Sequence, residues 1–412
     1  MRIILVLDWA HVNGGQAKVA LDSALALKAR GHEPIVFAAV GPVDPLLEQA
    51  GVPVHCLEQQ QLVSDPNKLA AFWRGIDNRA AARALHALLK VQPRGRTVIH
   101  VHGFAKALSS AIAGPIRASR LPVLYTMHEY YMLCPNGGFY NYRQHQHCTL
   151  TPLSQGCLTT HCDTRSFGFK LWRAARLATA KLIHRLPATF KDVVYFHPFQ
   201  RSIIERHLPE STRLHEIANP IEVENLGPKA DAATGDIIFL GRLSEEKGVF
   251  LYAEGMRKAG FTPVFVGDGP SAPALKARFP EAHFLGWQDG AGVRQHLRRA
   301  RALVFPSLWY EGQPLAVLES LALGTPVIAS DGSAGRESIL DGQTGLWFKH
   351  WDADDLARAI RVLQGDDVVR LMSEAAHRRY WASPFSLDRH CLRLEDVYGK
   401  LLAASDQLPA GA

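Results

Sequence analysis

The sequence predicts an α/β protein of two domains, each built around a doubly wound parallel sheet. Its 412 residues exceed what one hydrophobic core usually organises. Short apolar runs alternate with stretches of helical periodicity in both halves of the chain, as in successive strand–helix–strand units. Glycines follow several of these runs, where a strand of such a unit passes into its helix. Together these observations predict two Rossmann-like domains.

Each half supplies its own set of strands. The first half begins with a strand, and a helix over 17–29 follows it. The strands predicted in the first half are 3–7, 34–39, 98–101 and 123–127. The strands predicted in the second half are 237–240, 264–266, 283–285, 302–305 and 327–329. The same alternation on both sides of the middle indicates two similar sheets in succession.

The boundary between the halves is expected at an Ala-Asn-Pro-Ile segment, residues 218–221. We therefore predict one domain over 1–218 and a second over 219–384. The final segment, 385–412, begins with an amphipathic helix that reaches residue 402.

Composition is that of a soluble globular chain, with 47% apolar and 21% charged residues. Asp8 interrupts the apolar start early, so a strand is expected there rather than an export signal. No run of 18 apolar residues occurs, which predicts no transmembrane helix. We expect a cytoplasmic protein in which the six cysteines form no disulfides.

The charge is distributed unevenly. Residues 1–218 hold 25 Lys and Arg against 14 Asp and Glu, whereas residues 219–412 hold 21 against 25. The basic first half is expected to face an anionic partner, such as a membrane surface or a phosphate-bearing acceptor. We find no nucleic-acid recognition motif, and the second half is acidic, so no nucleic-acid partner is predicted.

Two glutamates follow one of the strands of the second half. Glu311 is expected to open a helix after the strand at 302–305, and Glu319 lies eight residues further on. Eight residues of helix turn through about 80° beyond two full turns, so the two carboxylates would share roughly one side. Ligands of such sheets bind at the carboxyl ends of the strands, which is where Glu311 is expected.

Residues suited to phosphate binding follow three other strands. Arg242 and Lys247 bracket a turn after 237–240, and two cations there suit a diphosphate. Gly14 and Gly15 follow the first strand and precede a helix, where a backbone can approach phosphate closely. Gly267 follows the strand at 264–266 and is also interpretable as a plain tight turn.

The pattern over residues 301–348 resembles the Glu-x7-Glu signature of glycosyltransferase family 4, whose members have the GT-B fold. Pro306-Ser307, the Gly-Thr-Pro-Val-Ile strand and Gly345 match together with the two glutamates. The resemblance implies that Glu311 contacts the transferred sugar and Glu319 the nucleotide's ribose. It also implies that the last helix crosses back onto the first domain.

The same resemblance assigns further residues. Arg242 and Lys247 would hold the donor's diphosphate, and Gly267 would line the nucleotide pocket. His128, at the end of the strand at 123–127, would lie near the donor sugar. Glu129 follows it where the family commonly has Asp. A strand-end histidine in a satisfied hydrogen-bond network is the alternative for His128.

The activity that this resemblance implies is transfer of a sugar from a nucleotide-diphosphate donor to a glycan acceptor. The sugar's anomeric configuration would be retained, without a catalytic metal, in the synthesis of a cell-surface polysaccharide. Two alternatives stay open. One is a hydrolysing nucleotide-sugar epimerase, which has the same architecture, and the other is a non-catalytic protein that binds nucleotide sugars or glycans.

A cysteine cluster lies in a segment, 134–166, that is otherwise predicted to be a loop. Its four cysteines are Cys134, Cys148, Cys157 and Cys162. Four thiolates could hold a structural Zn²⁺, but an iron–sulfur cluster, disulfides or free thiols are also open. The sequence HEYYMLCP before the cluster resembles a subset of the family from polysaccharide pathways, in which an acceptor role for this loop is plausible.

Residues 164–191 are basic and amphipathic, with seven Lys or Arg and no acid among aromatic and aliphatic residues. Such a helix can lie on an anionic membrane surface, and a lipid-linked acceptor would suit that position. A helix with one buried and one solvated basic face is the alternative. The membrane interpretation predicts a peripheral protein on the inner face of the membrane.

Overall fold

The computed structural model describes residues 1–406. Its first sheet and an attached hairpin contain nine strands within those residues. They are β1 Arg2–Trp9, β2 Glu33–Val40, β3 Val54–Cys56, β4 Thr97–Val101, β5 Val123–Thr126, β6 Tyr140–Asn141, β7 Gln146–His147, β8 Asp192–Tyr195 and β9 Arg213–Glu216. The sheet has the order β3-β2-β1-β4-β5-β8-β9, with its neighbours parallel. β6 and β7 form a separate antiparallel pair.

Helices cover both faces of this sheet. They are α1 Gly15–Ala29, α2 Pro45–Gln49, α3 Lys68–Ile76, α4 Arg79–Lys90, α5 Ala113–Ser119, α6 Gln155–Thr159, α7 Phe167–Ala178, α8 Leu186–Thr189 and α9 Pro198–Ile204. The central strand β1 is buried along residues 3–10, as expected for a parallel strand covered by helices on both faces.

The second sheet is also parallel. Its strands are β10 Ile237–Leu240, β11 Val264–Val266, β12 His283–Phe284, β13 Ala302–Phe305, β14 Val327–Ser330 and β15 Gly345–Phe348. Their order is β12-β11-β10-β13-β14-β15. The helices that follow in the chain are α10 Val249–Ala259, α11 Ala272–Arg278, α12 Gly290–Arg299, α13 Leu315–Ala322, α14 Ala353–Val362, α15 Asp366–Ala382 and α16 Leu387–Asp406. The chain therefore has the predicted pair of Rossmann-like α/β domains.

The last helix returns to the first domain, as predicted. The buried side of α16 packs with Ile3 and Leu5 of β1 in one hydrophobic core, and its core residues are Cys391, Leu394, Val397, Tyr398, Leu401 and Leu402. The helix begins at Leu387 rather than at 385, because the Ser386 hydroxyl caps its first turn by accepting a hydrogen bond from the Arg389 amide at 3.3 Å. Residues 407–412 of the predicted final segment lie outside the described residues.

Two expectations about the first half are corrected. The segment 134–166 is not a structureless loop, since it contains the β6–β7 hairpin and α6. The last two strands of the first sheet, β8 and the edge strand β9, were not predicted. They carry Asp192, Arg213 and His215, which form ion pairs across the two strands and hide the apolar pattern.

No helix among residues 1–406 is both long and apolar enough to cross a membrane.

Candidate active site

The turn that carries Arg242 and Lys247 is shaped by glycines. Gly241 and Gly267 have φ of 144° and 136°, values that favour glycine. A Cβ on Gly267 would lie 2.0 Å from the Gly241 carbonyl oxygen. The loops that follow β10 and β11 therefore touch, and their backbones can approach a ligand at the carboxyl end of the sheet.

The two cations of this turn differ in their surroundings. Arg242 is exposed, and the structure gives its guanidinium no ion pair within residues 1–406. Lys247 is engaged, because its Nζ lies 2.6 Å from Oε1 of Glu311 and 5.5 Å from the centre of the Trp309 ring. Within the described residues, Arg242 is thus exposed without a carboxylate partner, whereas Lys247 holds the glutamate that follows β13.

Glu311 is held at one oxygen by two donors. Its Oε1 accepts hydrogen bonds from Lys247 Nζ at 2.6 Å and from the Ser307 hydroxyl at 2.8 Å. Its side chain is 12% exposed. The carboxylate is therefore oriented by its own loop and by the turn that follows β10.

The prediction that Glu311 opens a helix is wrong. Helix α13 begins at Leu315, with Pro314 at its N-cap. Gln313 precedes a proline, and that position disfavours helical dihedral angles. Glu311 lies in the loop before the helix while Glu319 lies within it, so the argument that both share one helix face does not apply.

Glu319 lies on the side of α13 that meets the first domain. Burial raises the pKa of its carboxyl group, and the charges of Arg294 and Lys18 oppose that shift. Lys18 belongs to α1, so a first-domain cation acts on Glu319. Gly14 is the N-cap of the same helix and Gly15 is its first residue, and a Cβ on Gly15 would lie 3.8 Å from the Leu315 side chain. The glycine turn thus stands opposite the start of α13.

His128 lies at the end of β5, beside the loop of Glu311. A Cβ on Gly312 would come within 3.1 Å of the His128 carbonyl oxygen. The imidazole Nε2 lies 3.1 Å from Nδ1 of His102, so one ring donates a hydrogen bond to the other. Burial lowers the pKa of His128 to about 3, with a contribution from His390. The ring is therefore neutral at neutral pH.

Sequence reasoning missed the residues that hold the loop of Glu311 from the first domain. The Tyr130 hydroxyl donates to the Glu311 carbonyl oxygen at 3.3 Å. His197 bonds through Nε2 to the Gly312 carbonyl oxygen. Tyr130 lies within the HEYYMLCP string, whereas His197 follows strand β8, which the sequence pattern does not predict.

The linker between the domains also holds this loop. The Gln313 side chain accepts a hydrogen bond from the Asn219 amide at 2.6 Å and donates one to the Asn219 carbonyl oxygen at 3.3 Å. Asn219 lies in the segment expected to cross between the domains. The loop is therefore hydrogen-bonded to the interdomain linker as well as to the first domain.

Two of the four clustered cysteines contact a buried lysine. Nζ of the buried Lys170 lies 3.2 Å from Sγ of Cys162 and 3.4 Å from Sγ of Cys157. Cys134 donates to the Asn136 side chain at 3.2 Å, and burial raises the pKa of its thiol to about 11. Among residues 1–406, no three or more His, Cys, Asp or Glu side chains are arranged to hold a metal ion.

The zinc assignment of Cys134, Cys148, Cys157 and Cys162 stays a prediction. An ammonium group beside two of the sulfurs does not favour a second cation there. Metal analysis of the purified protein tests it.

The cysteine segment lies beside the candidate site. The His147 ring stacks on that of Tyr310 with centroids 3.8 Å apart, and a Cβ on Gly138 would lie 3.2 Å from the Trp309 ring. Trp309 and Tyr310 directly precede Glu311. The segment is thus placed to line the cleft next to the glutamate.

Comparison with known proteins gives two family matches that together span most of the chain. The family described as Glycosyltransferase Family 4 matches residues 13–225. The family described as Glycosyl transferases group 1 matches residues 234–366.

Individual relatives match over shorter stretches. TuaC of Bacillus subtilis (strain 168), whose name assigns it to teichuronic acid biosynthesis, is 37% identical over 126 residues, which are 30% of this chain and 31% of that protein. The UDP-Gal:alpha-D-GlcNAc-diphosphoundecaprenol alpha-1,3-galactosyltransferase of Escherichia coli is 25% identical over 222 residues, or 50% of this chain and 55% of that protein. The chain thus spans less than two thirds of the length of these relatives.

A solved structure matches over almost the whole chain. The structure of Anabaena Alr3699/HepE in complex with UDP has a TM-score of 0.67 and 16% identity, and the match covers 97% of this chain and 100% of that one. This likeness concerns the fold, which is GT-B.

Proposed function

The chain belongs to glycosyltransferase family 4, and we propose from this premise that it transfers a sugar from a nucleotide-diphosphate donor to a glycan acceptor in polysaccharide synthesis. One observation carries the proposal: Lys247 and Ser307 orient the Glu311 carboxylate, and the turn that carries Lys247 also carries the exposed Arg242, which has no carboxylate partner within the described residues. A diphosphate and the sugar attached to it require cations and a carboxylate placed side by side.

The donor's diphosphate binds between Arg242 and Lys247. Arg242 offers a planar fork of donors, and Lys247 offers a compact charge. To bind the diphosphate, Lys247 shares or gives up its contact with Glu311. The diphosphate carries more negative charge than the carboxylate it replaces, so this exchange favours the donor complex. Glu319 and the Gly14–Gly15 turn hold the nucleoside side of the donor, and Gly267 lines the same pocket.

The bond between sugar and diphosphate breaks as charge builds on the leaving oxygens. Arg242 and Lys247 stabilise that charge more strongly than the charge of the bound donor, which is what lowers the barrier. Glu311 positions hydroxyls of the sugar, and the neutral His128 offers it a hydrogen bond from the first domain.

We propose that the sugar's configuration is retained. The acceptor hydroxyl would pass its proton to the leaving diphosphate oxygen, which is compatible with entry from the face that the diphosphate leaves. This step assigns no role to a catalytic metal.

The acceptor enters from the first domain, where the cysteine segment stands next to Trp309 and Tyr310. We propose a lipid-linked glycan at the inner face of a membrane. The name of the Escherichia coli relative includes a diphosphoundecaprenol acceptor, which supports this class. The excess of basic residues in 1–218 supports an anionic acceptor or surface.

A panel of nucleotide sugars tests the activity. We expect purified protein to release nucleotide diphosphate from one donor, faster when a membrane lipid extract is present. Arg242→Gln should lower kcat/KM for that donor about 10- to 100-fold, because it loses a charge-assisted contact with the diphosphate. Arg370→Gln is the matched control, since Arg370 is an exposed arginine on α15, which does not contribute to the site.

The outcomes separate the candidate functions. Donor consumption that yields a free sugar and never depends on acceptor would indicate the epimerase. Donor binding without release under any condition would indicate a non-catalytic binding protein. Equal activity of the Arg242 and Arg370 variants would contradict the placement of the diphosphate.

A further inference from the structure

The surface formed by α3 and α7 exposes large apolar side chains next to one another. Leu69 and Trp73 of α3 are 77% and 65% exposed, and Leu182, just after α7, is 78% exposed. The other large apolar side chains exposed in these two segments are Phe72, Phe167, Leu171 and Ile183. Apolar groups concentrated in this way mark a surface that meets another apolar phase or partner. We call these residues, with the cations described below, the α3–α7 surface.

The two helices form one continuous surface because they pack side by side. The Trp172 indole donates to the Phe72 carbonyl oxygen at 3.1 Å, and Arg176 donates to the Gly75 carbonyl oxygen at 2.8 Å. Gly75 allows this approach, since a Cβ there would lie 2.5 Å from the Trp172 ring. The exposed residues of α3 and α7 therefore belong to one face of the first domain.

Positive charge surrounds the apolar groups. Residues 164–191 contain seven Lys and Arg and no acid. Three of these cations are engaged inside the protein, since Lys170 contacts two cysteines, Arg173 pairs with Asp163 and Arg176 donates to backbone carbonyls. The exposed cations of the two segments include Arg165, Arg185 and Lys68. The acids at the two ends of α3 are already neutralised by arginines. Asp65 pairs with Arg74 at 2.7 Å, and Asp77 pairs with Arg79 at 2.9 Å.

We propose that the α3–α7 surface docks the protein onto an anionic lipid bilayer, with Trp73, Leu69 and Leu182 entering the headgroup region and the surrounding cations contacting lipid phosphates. Charge complementarity selects this partner. A second copy of the chain would bring the same ring of cations against itself across a twofold axis, which is unfavourable. An anionic bilayer satisfies the apolar groups and the cations together.

This inference rests on the proposed function for its purpose, since a lipid-linked acceptor is presented at such a surface. Its test does not depend on that function, because vesicle binding requires neither donor nor acceptor.

Vesicle binding tests the inference. Wild-type protein is sedimented with vesicles of phosphatidylcholine alone and with vesicles that also contain phosphatidylglycerol, at low and at high salt. We expect binding to the anionic vesicles, weakened by salt. Trp73→Ser and Leu182→Ser should each lower the apparent affinity about tenfold, because each removes a large apolar group from the membrane contact.

Matched controls come from the second domain. Trp287 is 76% and Leu371 is 68% exposed, so Trp287→Ser and Leu371→Ser remove similar groups away from the α3–α7 surface. These variants should bind vesicles like the wild type. Failure of the wild-type protein to bind anionic vesicles would overturn the inference. Equal losses of vesicle affinity in the control variants would overturn it as well. A wild-type dimer that Trp73→Ser converts to a monomer would overturn it in favour of self-association.

The two proposals fail separately. Nucleotide diphosphate release by a protein that binds no vesicles removes the docking inference and leaves the transferase. Vesicle binding by a protein that turns over no donor removes the transferase and leaves the docking surface.

Discussion

At the scale of single residues, the Lys247–Glu311 ion pair shows how one site can serve two ligands. In the free protein the two side chains neutralise each other at 2.6 Å. A bound diphosphate would compete for Lys247 and leave Glu311 to the sugar. The pair therefore keeps both groups oriented before the donor arrives, which reduces the reorganisation needed when charge develops.

Glu319 gives a prediction that depends on pH. Burial raises the pKa of its carboxyl group above the ordinary value of 4.5. The folded protein therefore binds this proton more tightly than the unfolded chain, and stability falls as pH rises from 4.5 through the folded pKa. Glu319→Gln removes the cost of burying the ionised carboxylate. The variant should melt at a higher temperature than the wild type at about pH 8, and the gap should close at about pH 4.

The exposed Glu374 on α15 supplies the control. Glu374→Gln should leave the melting temperature nearly unchanged at both pH values. A Glu319 variant that is less stable than the wild type at high pH would show that the ionised carboxylate makes favourable contacts instead.

The sequence alone predicts that the cations and Glu311 of the candidate site lie close together. Arg242, Lys247 and Glu311 each follow a strand, and the carboxyl ends of parallel strands meet at one edge of a sheet. The helix start at Glu311 was predicted wrongly although Pro314 signalled against it. The contacts from Tyr130 and His197 could not be predicted, because they join residues more than one hundred positions apart.

At the scale of elements, the turn between β10 and α10 positions Lys247. Gly248 closes the turn with φ of 73°, and a Cβ there would lie 2.1 Å from the Pro306 carbonyl oxygen. The turn thus packs closely against the end of β13, next to the loop of Glu311. This close approach explains why a lysine and a glutamate on different strand–helix units meet.

Gly248→Ala should therefore disturb both stability and donor binding. A left-handed conformation alone costs a non-glycine residue about 1–2 kcal/mol, and the clash with Pro306 should add about 1–3 kcal/mol. Gly260→Ala is a close control at the other end of α10, because Gly260 has φ of 84° and no atom within 4 Å of an added Cβ. Denaturant unfolding and the donor's KM measure the two effects.

We expect both variants to lose stability and only Gly248→Ala to raise KM. Equal losses in stability and an unchanged KM for both would mean that contact with β13 does not hold the turn.

Other elements show where local pattern is insufficient. The long buried strand β1 and helix α1 were predicted within a few residues, since apolar periodicity over many positions is a strong signal. The two-residue strands β6 and β7 were missed because so short a pair depends on the surrounding packing. The cysteines were noticed, but Lys170, which lies among them, was not.

At the scale of the whole molecule, α16 joins the end of the chain to the first domain. Its apolar side completes the core beneath β1 and α1, and the Tyr398 hydroxyl lies 2.6 Å from Nδ1 of the buried His100. The second domain is thus connected to the first by the linker near Asn219 and by this helix. Such a double connection allows hinge motion but limits its directions.

Neighbouring leucines of α16 test this connection. Leu394 is fully buried in the first-domain core, whereas Leu392 is 54% exposed. Leu394→Ala should lower the free energy of unfolding by about 2–5 kcal/mol, and Leu392→Ala should change it by about 0.5 kcal/mol or less. Denaturant unfolding followed by circular dichroism provides the comparison. Similar losses in the two variants would contradict the packing of α16 on β1.

The two-domain architecture was the most predictable feature of the molecule. It follows from an alternation that is repeated along the chain, so errors at single elements do not alter it. How the domains meet was less predictable. The contacts across the cleft depend on single side chains such as Tyr130 and Gln313, and no periodic pattern encodes them.

The most direct test of the central claim compares nucleotide binding with turnover in Glu311→Gln. The glutamine keeps the shape of the side chain but removes its charge, so Lys247 becomes free for the diphosphate. We expect the variant to bind nucleoside diphosphate at least as tightly as the wild type. Release of nucleotide diphosphate from the preferred donor should fall about 100-fold or more, because the sugar loses its positioning carboxylate. Turnover equal to that of the wild type, with donor binding intact, would contradict the assignment of Glu311 to the transferred sugar.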